Sequence, residues 1–467
     1  MRILSRRGRT AACFILMLML LCGGPAICES NETAVPDNWN LRVMGFDLLK
    51  EAAEHEEKLQ APMLVAVIDT GCDTGHEIFR GRISGDSRSY FGREDDVSNP
   101  DGHGTTVASV IAAATPDNVK LLILKVGEYG EYASNELFEQ AIEYALEKGA
   151  DVINFCISIP TDKPVSQGFR VWCEGIRRCR EAGVPFVCGA GNNGVDAAWE
   201  YPAADVNADA VAAVTPQDVL WYKSNYGDTV RFSAPGAWIR AAKSGTIDEY
   251  LYKSGTSVAA PHITAAITYI KMLHPDWSCE QIEDALCSCA TGTNPNGGKK
   301  TQAAVPAISK LILDRDPEEK MPMYVFSRLT AGDAGKKDEG PENLFDGDPG
   351  SKWCLDFSGL ASVEWETGEP VSPSGILLGT GNDSGRQPGR NPYGMKLFGR
   401  EKTDEAWKLI WEQAPEQILP DQDYTFRTFA FPRPAEPYSF FRLEIHATGG
   451  SGVLQLSMAE LTEEPEE

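Results

Sequence analysis

Met63-Leu64-Val65-Ala66-Val67-Ile68 is apolar at six consecutive positions, so a strand formed there has no face to offer water. Similar runs recur at Lys120 to Val126, Asp151 to Phe155, Pro185 to Cys188 and Ala210 to Val214. Between them, apolar residues fall at helical spacing over Val107 to Ala114, Asn135 to Lys148 and Phe169 to Ala182. Strands buried on both faces and alternating with helices build a parallel sheet covered by helices. Such sheets place ligands and chemistry at the carboxyl ends of their strands. Asp69 follows the first run directly. A helix-like stretch, Asp47 to Leu59, precedes it.

A chain of 467 residues exceeds one ordinary core, and two domains are expected. The α/β pattern occupies residues 36–314. An acidic, proline-bearing linker follows at 315–322. Residues 323–463 change character, with short alternating segments, turn pairs and four tryptophans, the pattern of an all-β domain. Net charge is -25, which argues against a nucleic-acid partner, because phosphate binding needs a basic surface. The same charge weakly favours cationic substrates by steering. Residues 1–28 carry Arg2, Arg6, Arg7 and Arg9 ahead of an apolar stretch, Ala11 to Leu21. That reads as a secretory signal peptide, too short to span a bilayer, and predicts a secreted or extracellular protein. An uncleaved membrane anchor is the alternative. Of 12 cysteines, Cys13, Cys22 and Cys28 fall in that segment. No C-x-x-C occurs, so a zinc ribbon is not expected. Cys156 and Cys188 lie in apolar runs and read as small buried hydrophobes.

Three distant glycine-rich segments hold the residue types that serine hydrolysis requires. They are Val67-Ile68-Asp69-Thr70-Gly71, Asp101-Gly102-His103-Gly104-Thr105 and Ser254-Gly255-Thr256-Ser257-Val258-Ala259-Ala260-Pro261-His262. A hydroxyl nucleophile, an imidazole base and a carboxylate that orients the base form one unit. Ser257 opens a helix expected to run to His274, so unpaired N–H groups and a positive dipole end lie beside the hydroxyl. Asp-Thr-Gly also occurs in aspartic proteases, which need two such loops. The second candidate, Asp383-Ser384-Gly385, follows Thr380-Gly381-Asn382 rather than an apolar strand, and that reading is set aside. His55-Glu56-Glu57-Lys58-Leu59 lacks the second histidine of a zinc peptidase.

These motifs, in the order Asp, His, Ser, resemble the subtilisin-like serine proteases (subtilases) over residues 36–312. The resemblance implies a subtilisin-like α/β fold whose parallel sheet is flanked by helices. It implies Asp69 as orienter, His103 as general base, Ser257 as nucleophile and Asn192, in Gly189-Ala190-Gly191-Asn192-Asn193-Gly194, as oxyanion donor, with Asn193 the alternative. Substrate-binding positions would be Cys156, Ile157, Ser158, Gly189, Ala190 and Gly191. The implied partner is a polypeptide substrate and the implied state a monomer, with no metal at the site and no cofactor required for catalysis. Four departures stand out. Thr106 occupies a position where the family usually has a second histidine. Cys156-Ile157-Ser158-Ile159 replaces a Ser-Leu-Gly-Gly-like string, so the specificity pocket is expected to be reshaped and smaller. A calcium loop after the histidine helix is expected to be absent, with Ile78 in place of an aspartate ligand. No room is expected for an inhibitory prodomain between Glu29 and the first strand. The altered substrate strand and the missing prodomain keep a second reading open, a binding protein on a protease fold that cleaves weakly or not at all.

Glu342-Asn343-Leu344-Phe345-Asp346-Gly347-Asp348-Pro349 through Trp353, Tyr438 to Leu443 and Gln455 to Leu461 resemble the discoidin or coagulation-factor type C family. That resemblance implies an all-β jelly-roll sandwich, binding of a cell-surface glycan and a structural calcium near Asp346 or Asp348. The alternative is that Phe345 and Trp353 are core residues of a spacer.

Overall fold

Seven strands form one parallel sheet, which carries the residues singled out above at one of its ends. The computed structural model describes residues 38–160, 170–216, 220–291, 305–317, 327–346, 350–423 and 425–462. The expected signal peptide, residues 318–322 of the expected linker and Asp348 lie outside the described residues.

The first half opens with α1 (Trp39–Met44) and α2 (Phe46–Ala53). The helix expected over Asp47 to Leu59 thus begins one residue earlier and stops at Ala53. Gly45 separates α1 from α2 in the left-handed region (φ 76°), and a separate 3-10 turn covers Glu57–Gln60. Then come β1 (Met63–Asp69), β2 (Arg88–Ser89), α3 (His103–Ala114), β3 (Val119–Lys125), α4 (Asn135–Glu147), β4 (Val152–Phe155) and a two-residue β5 (Ile159–Pro160). They are followed by α5 (Arg170–Glu181), β6 (Phe186–Gly189), β7 (Glu200–Tyr201), β8 (Asp209–Val214), β9 (Val230–Pro235), β10 (Ile239–Ala242), β11 (Tyr250–Lys253), α6 (Thr256–Leu273) and α7 (Cys279–Ser288).

The sheet order is β9-β8-β6-β4-β1-β3-β2, parallel throughout. From β1 the chain builds outward through β3 on one side and β4 on the other. The strand order therefore reverses beside β1, and the crevice that such a reversal opens lies at the β1 carboxyl end, where Asp69 stands. Val230–Pro235 was not foreseen as a strand, because Arg231 and Ser233 interrupt its apolar pattern. The sheet divides two apolar clusters. Val65, Val67, Leu121 and Ile123 pack toward α3 and α6, and Ala66, Ile68, Leu122 and Leu124 pack toward α4 and α5.

α6 ends at Leu273 rather than His274 and is almost wholly buried. His262 on this helix is a core residue. Its Nδ1–H donates to Val258 O (2.9 Å), and its Nε2 accepts from Asn40 Nδ2 (2.7 Å). Burial holds the ring neutral, with a pKa down to about 4 from an ordinary 6.5. Between those values the unfolded chain takes up a proton that the folded chain refuses. Stability is therefore full above pH 6.5 and falls as pH drops toward 4, by about 3 kcal/mol. We expect urea midpoints at pH 7 and pH 4 to differ less in His262→Gln than in wild type. An unchanged difference would contradict this assignment.

The second half is all β. β12 (Ser327–Gly332), β14 (Ala361–Val371), β16 (Pro392–Arg400), β17 (Lys408–Glu412) and β19 (Tyr438–Thr448) form an antiparallel sheet ordered β12-β14-β19-β16-β17. β15 (Gly375–Gly379), β18 (Phe426–Ala430) and β21 (Met458–Thr462) form a second, and β13 (Trp353–Asp356) pairs with β20 (Val453–Leu456). Side chains from both sheets meet in one core containing Trp365, Phe441, Ile376 and Phe429. Trp353 is fully buried in it, its indole N–H bonded to Asp333 O (2.9 Å), and Phe345 packs on Trp365. Asp383 of the rejected Asp-Ser-Gly motif is bound by Lys352 (2.7 Å), within this half.

Phe426 and Met458 belong to the same apolar cluster as the first half's core. The Phe426 ring stacks on Trp238 (centroids 5.4 Å apart) and meets Tyr252 edge-on (6.5 Å). Tyr252 lies in β11, the strand that leads into Ser257.

Candidate active site

Asp69 ends β1 and is 1% exposed. Its Oδ1 accepts from His103 Nδ1 (2.7 Å) and from the Thr70 amide (2.7 Å). His103 is the first residue of α3, and its approach depends on Gly104. A Cβ at residue 104 would lie 2.1 Å from Gly71 O. A second carboxylate fixes the helix start. Asp101 Oδ1 accepts from the His103 amide (3.0 Å), Thr70 Oγ1 (2.8 Å) and Asn99 Nδ2 (2.7 Å), and its Oδ2 accepts from the Tyr129 amide (2.9 Å). Burial acts to raise the Asp101 pKa, but these hydrogen bonds outweigh it and hold it low. Asp101 lies within a quoted motif, yet its positioning role is visible only in three dimensions.

The imidazole of His103 remains 41% exposed in the cleft. Burial of the ring pulls its pKa down. The Asp69 charge and hydrogen bond, aided by Asp101, outweigh that and leave it raised above 6.5. The proton on Nδ1 is held by Asp69, so Nε2 is the free basic nitrogen.

Ser257 is the second residue of α6 and lines the same cleft, of about 450 Å³, as His103 and Asn192. Its hydroxyl faces Cys156 O at 3.5 Å, and no Ser257–His103 hydrogen bond is formed. Such contacts are commonly loose without substrate. Pro261, four residues on, has no N–H for the Ser257 carbonyl, and the Cys156 thiol takes that place (Sγ to O, 3.5 Å). Burial pushes the Cys156 thiol pKa far up, so it is not a competing thiolate.

The two asparagines separate. Asn192 Oδ1 accepts from the Thr256 amide (2.9 Å) and Thr256 Oγ1 (3.0 Å), which turns its Nδ2 donor away from Thr256. Asn193 instead reaches Glu200. The Ser257 amide, in the first turn of α6, adds an N–H with no partner within the helix.

Of the expected substrate-binding positions, Cys156, Ile157, Gly189, Ala190 and Gly191 have buried side chains or none, so only their backbone can meet a ligand. Ser158 is half-buried and bonds Glu200. Sequence reasoning missed Glu200 entirely. Among the described residues the cysteines Cys72, Cys156, Cys179, Cys188, Cys279, Cys287, Cys289 and Cys354 are all free thiols, and no helix is long and apolar enough to cross a membrane.

A parallel sheet with its strand reversal beside an acid–imidazole pair, and a helix-borne serine in the same cleft, defines the subtilisin-like α/β class. The profile described as the subtilase family matches residues 61–310. The major intracellular serine protease of Bacillus subtilis (strain 168) is 35% identical over 224 residues, 44% of this chain and 67% of the relative. Subtilisin BL of Lederbergia lenta is 29% identical over 257 residues, 53% of this chain and 90% of the relative. A solved protease of Pseudoalteromonas arctica shares the fold with a TM-score of 0.51 at 21% identity, covering 61% of this chain and 99% of that one. The chain belongs to the subtilase family of serine proteases. The family match stops at residue 310, ahead of the antiparallel strands of the second half.

Proposed function

We propose that the chain is an active serine endopeptidase, exported by its first 28 residues, that hydrolyses peptide bonds through Asp69, His103 and Ser257. The observation that carries this is the 2.7 Å Asp69–His103 bond, opening onto the cleft that Ser257 also lines. His103 Nε2 takes the Ser257 proton as Oγ attacks the scissile carbonyl. Asp69 stabilises the imidazolium that forms, and Asn192 Nδ2 with the Ser257 amide binds the oxyanion. The leaving amine takes that proton from His103; His103 then takes a proton from water, which attacks the acyl-enzyme, and returns it to Ser257 Oγ as the acid product leaves.

The β half is proposed to be a discoidin-like jelly roll that holds the enzyme at a glycan-bearing surface. Its two antiparallel sheets on one core support that reading; the burial of Trp353 removes that residue from any sugar-facing surface. A fluorophosphonate probe tests the catalytic reading. Wild type is expected to be labelled and Ser257→Ala not. Absence of labelling in folded wild type would favour the alternative, a binding protein on a protease fold.

A further inference from the structure

Glu200 opens β7 and is 2% exposed, yet no Lys, Arg or His pairs with it among the described residues. Its Oε1 accepts from Ser158 Oγ (3.0 Å). Asn193 Nδ2 reaches the two oxygens only at 3.4 and 3.5 Å, the outer limit of a hydrogen bond. A carboxylate has about four acceptor positions, and a buried one is normally met by a cation or by several strong donors. Glu200 has neither, and burial raises its pKa accordingly.

The groups around this carboxylate fix its place relative to the cleft. Ser158 comes two residues after Cys156, whose carbonyl faces the Ser257 hydroxyl. Asn193 follows Asn192, which is held against Thr256 beside the nucleophile. Gly191 lies against the Glu200 stem, where a Cβ would come within 2.8 Å of its Cγ. At φ 102°, that position suits glycine alone. Glu200 thus joins the segment after Cys156 to the segment after Asn192, the two that meet Ser257 and its neighbour Thr256. Its cover is thin, because Asn193 is exposed and Ser158 half-buried.

We propose that Glu200 forms the floor of the pocket that receives the substrate side chain just before the scissile bond, and that it selects lysine or arginine there. The inference rests on the endopeptidase reading above and names its substrate class. The net charge of -25 acts in the same direction, by drawing cationic chains toward the surface.

The test uses the full chain and matched fluorogenic peptides differing only at that position, with Arg, Lys, Phe or Ala. Wild type is expected to favour Arg and Lys over Phe by at least about tenfold in kcat/KM. Glu200→Gln is expected to lower that ratio by about 10- to 100-fold, the scale of a lost charge-assisted hydrogen bond, with Glu200→Asp recovering part of it. A wild-type preference for Phe, or a ratio unmoved in Glu200→Gln, would overturn the proposal. Calorimetric titration with benzamidine, a planar cation, gives a readout independent of turnover. Binding to wild type that weakens at least about tenfold in Glu200→Gln supports the pocket even if no peptide is cut, whereas absent or unaltered binding overturns it. Fluorophosphonate labelling of the same samples tells failure of the pocket apart from failure of the protease reading.

Discussion

Asp69→Asn is expected to lower kcat by about 10⁴-fold, the loss a wrongly held imidazole produces in serine proteases. Among the described residues, Asp69 Oδ1 is the only acceptor that meets His103 Nδ1, at 2.7 Å. An amide there can present its N–H to the ring instead. The imidazole would then carry its proton on Nε2, facing Ser257, and could not act as base. The Asp101 network, which fixes the start of α3, does not pass through the Asp69 side chain, so the helix should stay in place. A second signature separates this from simple misfolding. In wild type, activity is expected to fall as pH drops through a His103 pKa raised above 6.5, because protonated imidazole cannot accept the serine proton. Removing the Asp69 charge removes what raises that pKa, so the acid limb of residual activity should move to lower pH. An acid limb that stayed in place in a folded variant would argue against the pairing.

Asn192→Ala is expected to cost about 10² to 10³ in kcat with little change in KM. The Asn192 amide is oriented from behind, since Thr256 donates to Oδ1 from both its amide and its hydroxyl. That leaves Nδ2 as the donor this cleft-lining residue can offer an oxyanion. A donor aimed at charge that appears only in the transition state affects kcat and leaves ground-state binding nearly alone. Asn193→Ala offers the contrast, because that side chain contacts Glu200 rather than Thr256. It should spare the chemical step by comparison. Steady-state kinetics on one peptide substrate decides between them. A larger kcat loss in Asn193→Ala would reverse the assignment.

The parallel sheet was legible because a strand buried on both faces leaves a local signal that needs no partner to be read. Met63 to Ile68 shows this most clearly, with Asp69 at its end. The glycine-rich motifs were legible for a similar reason, since close approaches such as Gly104 to Gly71 O restrict residue type at single positions. Val230–Pro235 was harder because Arg231 breaks its apolar run and finds its ion-pair partners far away, in Asp209 (3.1 Å) and Glu283. Glu200 carried no local mark at all. Its significance comes from Ser158, 42 residues earlier, and Gly191, and neither contact is written in the neighbourhood Ala198-Trp199-Glu200-Tyr201. Residues that act through distant contacts are the ones a linear pattern cannot rank.

The stacking of Phe426 on Trp238, and its edge contact with Tyr252, has a consequence for how this enzyme can be divided. β11 walls the cleft through Leu251 and Lys253, and its neighbour Tyr252 meets a ring from the far half of the chain. Cutting the polypeptide where the family match ends would leave Trp238 facing water and the cleft wall without its support. The protease half is therefore not an interchangeable cassette. A graft of the β half onto a relative would need a hairpin shaped for Phe426, and a transplanted protease half would need a substitute for that ring.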